Sequence, residues 1–391
     1  MAVAIVGGAI ANKPLNGGEA WVRLSWILGL RRLGFDTYFA EVLSASGCVD
    51  DDGRPAPYER SINRAHLESV LSDFGLEGTA TLLSDRGERL HGLDPQQLTE
   101  LIAEADVLFD VSGHLGHLPI AAGARLRVYV DLDPGFTQAW HADAALPFRL
   151  SGYDRYVTVG LNVGRADCPI PTGGIDWVPT PPPVVLEQWP SAPTGSGPFR
   201  FTTVARWRSP FGAIEIGGGT LGLKHHQFRR FVEVPERVSD ARFELALDID
   251  PADTADRDAL AAHGWSVVPA RSVAASPQGF RGYVRDSSGE FSVAQPAYVE
   301  TGSGWFSDRT AAYLAAGRPA LVQDTGLGSP LTAEEGLLSF STPDQAIERA
   351  RRLAADPASH AQAARAFAEQ HLDSDVVLGR LLEALGVGRL K

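Results

Sequence analysis

Two cysteines, Cys48 and Cys168, are all that 391 residues carry, so no disulfide framework can staple this chain. Neither cysteine lies in a CxxC or another metal-ligand spacing, and a reducing compartment is expected, with the cytoplasm as the location. Long apolar runs are missing too, and none approaches the ~20 residues of a membrane span. The start, Met1–Val6, has neither the charged n-region nor the cleavage site of a signal peptide and reads as a strand. Positive charge is in short supply: 35 Lys and Arg against 48 Asp and Glu leave a net charge of −13. Phosphate backbones and anionic lipid repel such a surface, so neither nucleic acid nor membrane is expected as a partner. Lysine occurs only at Lys13, Lys224 and Lys391, a skew towards arginine that GC-rich coding explains.

What is present is ordinary for a globular protein, 44% apolar and 21% charged, at a length that suits two domains of roughly 150–200 residues. The first half alternates strand and helix signals. Ala2–Val6 is a short buried-strand run ending in Gly7-Gly8, Glu19–Leu33 has a broad apolar helical face stopped by Gly34, and Asp36–Glu41 returns as a strand. Helices are expected over Asn63–Phe74 and Asp94–Ala105, and strands over Thr79–Leu83, Val107–Val111, Leu126–Leu132 and Arg155–Val159. Prolines then crowd the stretch from Cys168 to Pro198, a stiff connector. The alternation restarts with strands Phe199–Ala205, Phe243–Asp248, Trp265–Pro269, Gly289–Val293 and Pro319–Gln323. Between them lie helices Lys224–Glu233, Asp253–His263, Pro277–Val284 and Ser307–Ala316, and three helices close the chain: Pro343–Ala355, Pro357–Gln370 and Ser374–Leu385. The expected fold is α/β, with two Rossmann-like domains facing a cleft: an N-terminal domain over 1–178, a linker over 179–198, a C-terminal domain over 199–370 and a final helix over 371–391.

The most informative stretch runs from Gly302 to Gly326. Ser307 or Asp308 caps a helix whose first turn holds Arg309 and Thr310, and Gly317 stops it. A helix N-terminus preceded by glycines such as Gly304 is a ready anion site, because free N–H groups and the helix dipole point the same way. Ser307, Arg309 and Thr310 offer hydroxyl and guanidinium contacts to a diphosphate, and Asp324 and Thr325 follow the next strand, where open α/β sheets bind ligands. The same stretch also serves as one more strand–helix unit of any such sheet.

Ala315-Ala-Gly-Arg-Pro-Ala-Leu-Val322 after a small-residue helix resembles the donor-binding unit of GT-B glycosyltransferases. Glu335-Gly-Leu-Leu-Ser-Phe and Ala364–Leu385 resemble their C-terminal end, whose last helix crosses back to the first domain, and Asn16-Gly-Gly-Glu-Ala-Trp21 resembles their opening loop and helix. Ser303-Gly-Trp-Phe-Ser-Asp-Arg309 is also similar to a motif of a little-characterised bacterial group of glycosyltransferases. The resemblance implies transfer of a sugar from a nucleoside-diphosphate sugar, UDP- or dTDP-linked rather than GDP-linked, to a small acceptor, without a bound metal. It also implies that Arg206 and Lys224 neutralise the departing diphosphate and that Glu290 and Asp324 accept hydrogen bonds from ribose or sugar hydroxyls. The glutamate pair of retaining family-4 enzymes is absent, its positions being Gly304 and Ala312, which favours inversion.

Inversion requires a base, expected from the first domain. Asp131 and Asp133 end a buried strand, and His114, His117, His141 and Glu19 compete for the role, with Gly17, Gly18, Glu19 and His141 expected to line the acceptor side. Asp131-Leu-Asp133 also spells the metal motif of single-domain GT-A transferases. Asp248-Ile-Asp250 and Asp50-Asp-Asp52 spell it too, so the pattern is cheap in this chain. A same-fold nucleotide-sugar epimerase and a non-catalytic activator subunit stay open, as does homodimerisation. Gly7-Gly8 and Gly17-Gly18 do not form the GxGxxG of NAD enzymes.

Overall fold

The computed structural model describes residues 2–115, 119–146, 148, 150–191, 197–328, 331 and 334–388. His117 lies outside them. Eight strands form the first sheet: β1 (Val3–Gly7), β2 (Asp36–Leu43), β3 (Ala80–Ser84), β4 (Arg89–His91), β5 (Val107–Val111), β6 (Arg127–Asp131), β7 (Arg155–Thr158) and β8 (Trp177–Pro179). Their order is β4-β3-β2-β1-β5-β6-β7-β8, parallel throughout except for β4 against β3. The accompanying helices are α1 (Gly17–Arg32), α2 (Ile62–Asp73), α3 (Pro95–Glu104) and α4 (Phe136–Ala142).

The second sheet is built from β9 (Phe199–Arg206), β12 (Ala241–Asp248), β13 (Trp265–Pro269), β14 (Gly289–Ser292), β15 (Ala320–Gln323) and β16 (Leu337–Phe340). It is parallel and ordered β13-β12-β9-β14-β15-β16, the doubly wound pattern that reverses at the first strand of the half. Its helices are α5 (Lys224–Arg229), α6 (Thr254–Ala262), α7 (Ala270–Ala274), α8 (Pro277–Asp286), α9 (Pro296–Glu300), α10 (Asp308–Ala315), α11 (Pro343–Ala355), α12 (Pro357–His371) and α13 (Ser374–Ala384). None of the described helices is long and apolar enough to cross a membrane.

Several short elements differ from the expectation. The glycine-rich passage after β9 is a hairpin, β10 (Ile214–Ile216) with β11 (Gly219–Leu221), turned by Gly217 and Gly218 at φ of 62° and 81°. Two successive positive φ values match the twist of a two-residue hairpin, and glycine adopts them at little cost. Its Ile214, Ile216 and Leu221 join Phe136 and Tyr298 in one apolar cluster, so the hairpin reaches from the second half onto α4 of the first. Within the proline-rich stretch, Trp177–Pro179 adds an edge strand, the position where proline is tolerated in a sheet. Helix α5 ends at Arg229 rather than Glu233, and the turns beyond it carry Phe231 and Val234 into the core.

The linker is not a free tether. Val184 exchanges backbone hydrogen bonds with Leu372 and Ser374, and Trp189 is buried against Trp21 and Phe280. Helix α13 returns to the first half as expected. It lies on α1, where a Cβ on Gly29 would meet Leu378 at 2.6 Å, and Arg32 holds Asp375 through two nitrogens at 2.8 Å. One apolar core therefore runs from the first sheet through the linker into α10 and α13.

Candidate functional site

The carboxyl ends of the two sheets meet. Gly160, just past β7, bridges to Trp305, just before α10, and Tyr298 of α9 donates from its hydroxyl to Asp133 Oδ1, just past β6, at 2.9 Å. The candidate site is the cleft these contacts frame, with the residues expected at the donor on one wall and most of those expected at the acceptor on the other.

On the donor wall, Ser307 caps α10 by accepting from the Arg309 N–H at 3.2 Å, and Thr310 is buried in the first turn. The preceding loop is interlocked with the loop after β15: the Gly304 N–H donates to the Thr325 carbonyl at 2.6 Å, and the Thr325 hydroxyl donates to the Trp305 carbonyl at 2.7 Å. Asp324 folds its own turn by accepting from the Gly326 N–H at 2.9 Å. Gly302, Gly304 and Gly326 all have positive φ, so these two loops form a cradle that a β-carbon would strain.

Two residues expected to contact the donor have partners within the fold. The Arg309 guanidinium is anchored in the fold, donating to Glu290 Oε1 at 2.6 Å, to the Val204 carbonyl at 2.9 Å and to Ser292 Oγ at 2.6 Å. Glu290 is completely buried beneath it, one carboxylate oxygen accepting from Arg309. The pair ties the start of α10 to β14 and β9, and its contact is a charge-assisted bond with little exposure to solvent.

The other two cations are placed differently. Arg206 ends β9, about half exposed, with Asp248 at 3.4 Å. Lys224 begins α5, half-buried, and no described group hydrogen-bonds or ion-pairs with its ammonium. Burial pushes this lysine down to about 7, and the Arg309 and Arg206 charges push the same way. Arg206 and Arg309 each have a carboxylate, Asp248 and Glu290, while Lys224 has none among the described residues.

On the acceptor wall, the two aspartates separate into different roles. Asp131 is completely buried and its carboxylate is saturated. Oδ1 accepts from the Asp133 N–H at 3.0 Å and the Thr137 hydroxyl at 2.6 Å, and Oδ2 from Gln138 Nε2 at 2.8 Å and the Thr158 hydroxyl at 2.7 Å. Burial raises its pKa against those donors. With no lone pair to spare it shapes the loop, and the pair does not offer two open carboxylates to a metal. Asp133 keeps one oxygen beyond its bond from Tyr298. Burial pushes it up to about 7, the Asp131 charge adds to this, the Tyr298 hydrogen bond opposes it, and Glu19 and Asp308 raise it further. Asp308, at the start of α10 and open to the cleft, is pushed up to about 6 by the surrounding protein and then by Glu19. Three carboxylates from α1, the β6 loop and α10 therefore feel one another across the cleft.

Glu19 is half engaged: it pairs with the buried Arg23 one turn on. Burial raises its pKa, but Arg23, Lys13 and Arg206 outweigh that and leave it below the ordinary carboxylate range. Gly17 and Gly18 serve the domain contact. A Cβ on Gly17 would sit 2.0 Å from the Ser276 carbonyl oxygen, and one on Gly18 would sit 3.3 Å from the Phe280 ring. Trp21 Nε1 donates to the Pro277 carbonyl at 2.8 Å beside them. Gly17→Ala is expected to lower the melting temperature by several degrees, since backbone must move to admit the methyl; an unchanged melting curve would show that the helices separate freely. His141 Nδ1 accepts from the Leu150 N–H at 3.1 Å, and its ring lies beside Gly173. His114 sits past β5 in a turn where Ser112 and Gly113 both have positive φ.

Sequence reasoning missed Tyr298 and Glu41. Tyr298 is 165 residues from the aspartate it holds. Glu41, buried in β2, accepts from the Ile10, Ala11 and Asn12 N–H groups at 2.9, 2.8 and 2.7 Å. An internal carboxylate thus fills the nest after β1 where a dinucleotide enzyme would seat phosphate. The Gly7-Gly8 turn had given no hint of it.

No protein-family model and no curated protein sequence matches the chain. Solved structures do. Sucrose-phosphate synthase from Thermosynechococcus elongatus is 11% identical with a TM-score of 0.54, over 98% of this chain and 99% of that one. The Anabaena protein HepE, in complex with UDP and glucose, is 10% identical with a TM-score of 0.55 over 98% and 99%. AviGT4, a glycosyltransferase involved in avilamycin A biosynthesis, is 16% identical with a TM-score of 0.55 over 98% and 96%. At such identities the likeness is one of fold, and it spans essentially the whole of each chain: this protein has the GT-B fold.

Proposed function

We propose that the protein is a glycosyltransferase that moves a sugar from a nucleoside-diphosphate sugar, UDP- or dTDP-linked, to a hydroxyl or amine of a small acceptor with inversion. The observation that carries this reading is Lys224, an ammonium with no partner among the described residues, set beside Arg206 and the Arg309–Glu290 pair at the carboxyl edge of a GT-B second half. A diphosphate supplies the missing anion. The fold neighbour HepE, crystallised with UDP and glucose, supports a nucleotide sugar as its source.

In this mechanism the acceptor oxygen or nitrogen attacks the anomeric carbon as the bond to the diphosphate oxygen breaks. Asp133, from the 1–178 half, takes the acceptor's proton. Lys224, Arg206 and the N–H groups at the start of α10, from the 199–370 half, hold the electron pair that leaves on the diphosphate. These cations do the work that a divalent ion would otherwise do. Gly304 and Ala312 put no carboxylate at the two positions where retaining family-4 enzymes carry their glutamates, which supports inversion.

A thermal-shift panel of UDP, dTDP and GDP, with and without Mg²⁺, tests the reading. A rise of several degrees with UDP or dTDP that does not depend on Mg²⁺ is expected. A flat response to all three would end it, and a shift seen only with Mg²⁺ would restore the metal-dependent alternative.

A further inference from the structure

Between β7 and the proline-rich stretch, the chain crosses the cleft as a short strap, Thr158–Val163, and touches both walls. At its start the Thr158 hydroxyl donates to Asp131, and Gly160 lies so close to Pro134 that a Cβ would stand 2.5 Å from the ring. The strap is thereby seated on the loop that presents Asp133. At its far end it pairs with the cradle of the other half: the Leu161 and Asn162 N–H groups donate to the Gly304 and Ser303 carbonyls at 3.4 and 3.0 Å.

The Asn162 side chain completes this contact. Its Nδ2 donates to the Gly302 carbonyl and to the Gly326 carbonyl, each at 2.8 Å. One amide nitrogen thus spends its two hydrogens on the two loops that make up the cradle. Those loops already lean on one another, since a Cβ on Gly326 would sit 2.8 Å from the Gly302 oxygen. The same side chain fills the space outside Gly304, where a Cβ would come within 3.0–3.1 Å of the Asn162 amide carbon and nitrogen. A side chain at position 304 would therefore press on Asn162, besides straining a backbone with φ of 69°.

We propose that Asn162 is a positioning residue that locks the diphosphate cradle from the opposite domain, so that the cradle takes its binding shape only when the base loop is docked. The inference rests on the donor reading above for its ligand, while the clamp itself rests on the hydrogen bonds. A cradle held in one shape before the ligand arrives loses less freedom on binding, so the clamp appears as affinity. Aspartate at 162 is isosteric but turns a double donor into an acceptor facing two carbonyls, which makes Asn162→Asp the sharper probe.

The probe ligand is whichever of UDP, dTDP and GDP shifts the wild type most. Asn162→Ala is expected to weaken its binding about tenfold and Asn162→Asp by more, with melting temperatures within a few degrees of the wild type. With the corresponding nucleotide sugar, donor KM rises while kcat at saturating donor changes less than about threefold. Amide exchange read across residues 158–165 and 302–305 accelerates in both variants, the rest of the chain keeping its protection. Wild-type affinity in both variants overturns the proposal. If the wild type itself ignores all three nucleotides, the donor reading fails, and the clamp is then judged on amide exchange: unchanged protection in Asn162→Asp overturns it.

Discussion

Asp133→Asn is expected to lower the rate of nucleoside diphosphate release from the nucleotide sugar by about 10²–10⁴-fold, the range for loss of a general base. Donor affinity stays within about threefold, because the residue lies on the acceptor wall. The substitution keeps the bond from Tyr298, since asparagine's carbonyl oxygen accepts as the carboxylate oxygen does, so the loop remains in place. The pH profile carries a second signature. Asp133 is pushed up to about 7, by burial first and the Asp131 charge next, so it becomes an effective base only as pH rises through neutrality. The wild-type rate at saturating donor therefore climbs through about pH 7, and in Asp133→Asn that limb is lost. The rivals give distinct results. Glu19, held down by Arg23, Lys13 and Arg206 against its burial, is ionised well below neutrality and would yield a rate flat across this range. Should Asp133→Asn retain more than a tenth of the rate while Glu19→Gln loses it, the base belongs to α1.

That assignment shows how far the sequence could be read. Alternating apolar periodicity exposed both sheets and nearly every long helix, because buried parallel strands and capped amphipathic helices leave local patterns: Val107–Val111, Trp265–Pro269 and Pro343–Ala355 fall where the periodicity puts them. The elements that escaped it are short and owe their existence to tertiary contact. The β10–β11 hairpin has three-residue strands held against α4, and β8 and β16 are pinned by a neighbouring strand. The site divides in the same way. The cradle is local, a capped helix and two glycine loops, and was legible. The state of each charge was not, because it depends on partners far along the chain. The place of Arg309 in the first turn of α10 is local, but its bonds to Glu290, Ser292 and the Val204 carbonyl come from residues up to 105 positions away. The two aspartates looked equivalent until Thr137, Gln138 and Thr158 closed around Asp131. Asn162, in an unremarkable loop, could not have been singled out by any spacing rule.

Lys224→Ala is expected to weaken nucleoside diphosphate binding by about 10–100-fold at pH 6.5, the worth of one charge-assisted contact to phosphate. The more telling result is in protons. In the free protein the ammonium is pushed down to about 7, by burial first and then by Arg309 and Arg206, and a bound diphosphate reverses that balance by adding the absent anion. Binding above neutrality must then draw a proton from solvent. Calorimetry in buffers of differing ionisation enthalpy should find uptake near zero at pH 6, about half a proton at pH 7 and close to one at pH 8. Affinity should accordingly fall as pH rises past 7. Lys224→Arg, whose guanidinium stays charged, should bind at pH 8 without the uptake, and Lys224→Ala should show neither the affinity nor the proton. The free protein responds in the opposite direction. A lysine whose folded pKa lies below its unfolded one opposes folding most at low pH, and the opposition fades as pH climbs from about 7 towards the ordinary lysine range. Lys224→Ala should therefore melt no lower than the wild type at pH 6, and somewhat higher if the ammonium is as poorly compensated as its surroundings indicate. Binding that is independent of both buffer and position 224 would place the diphosphate elsewhere in the cleft and leave Lys224 a helix-start charge.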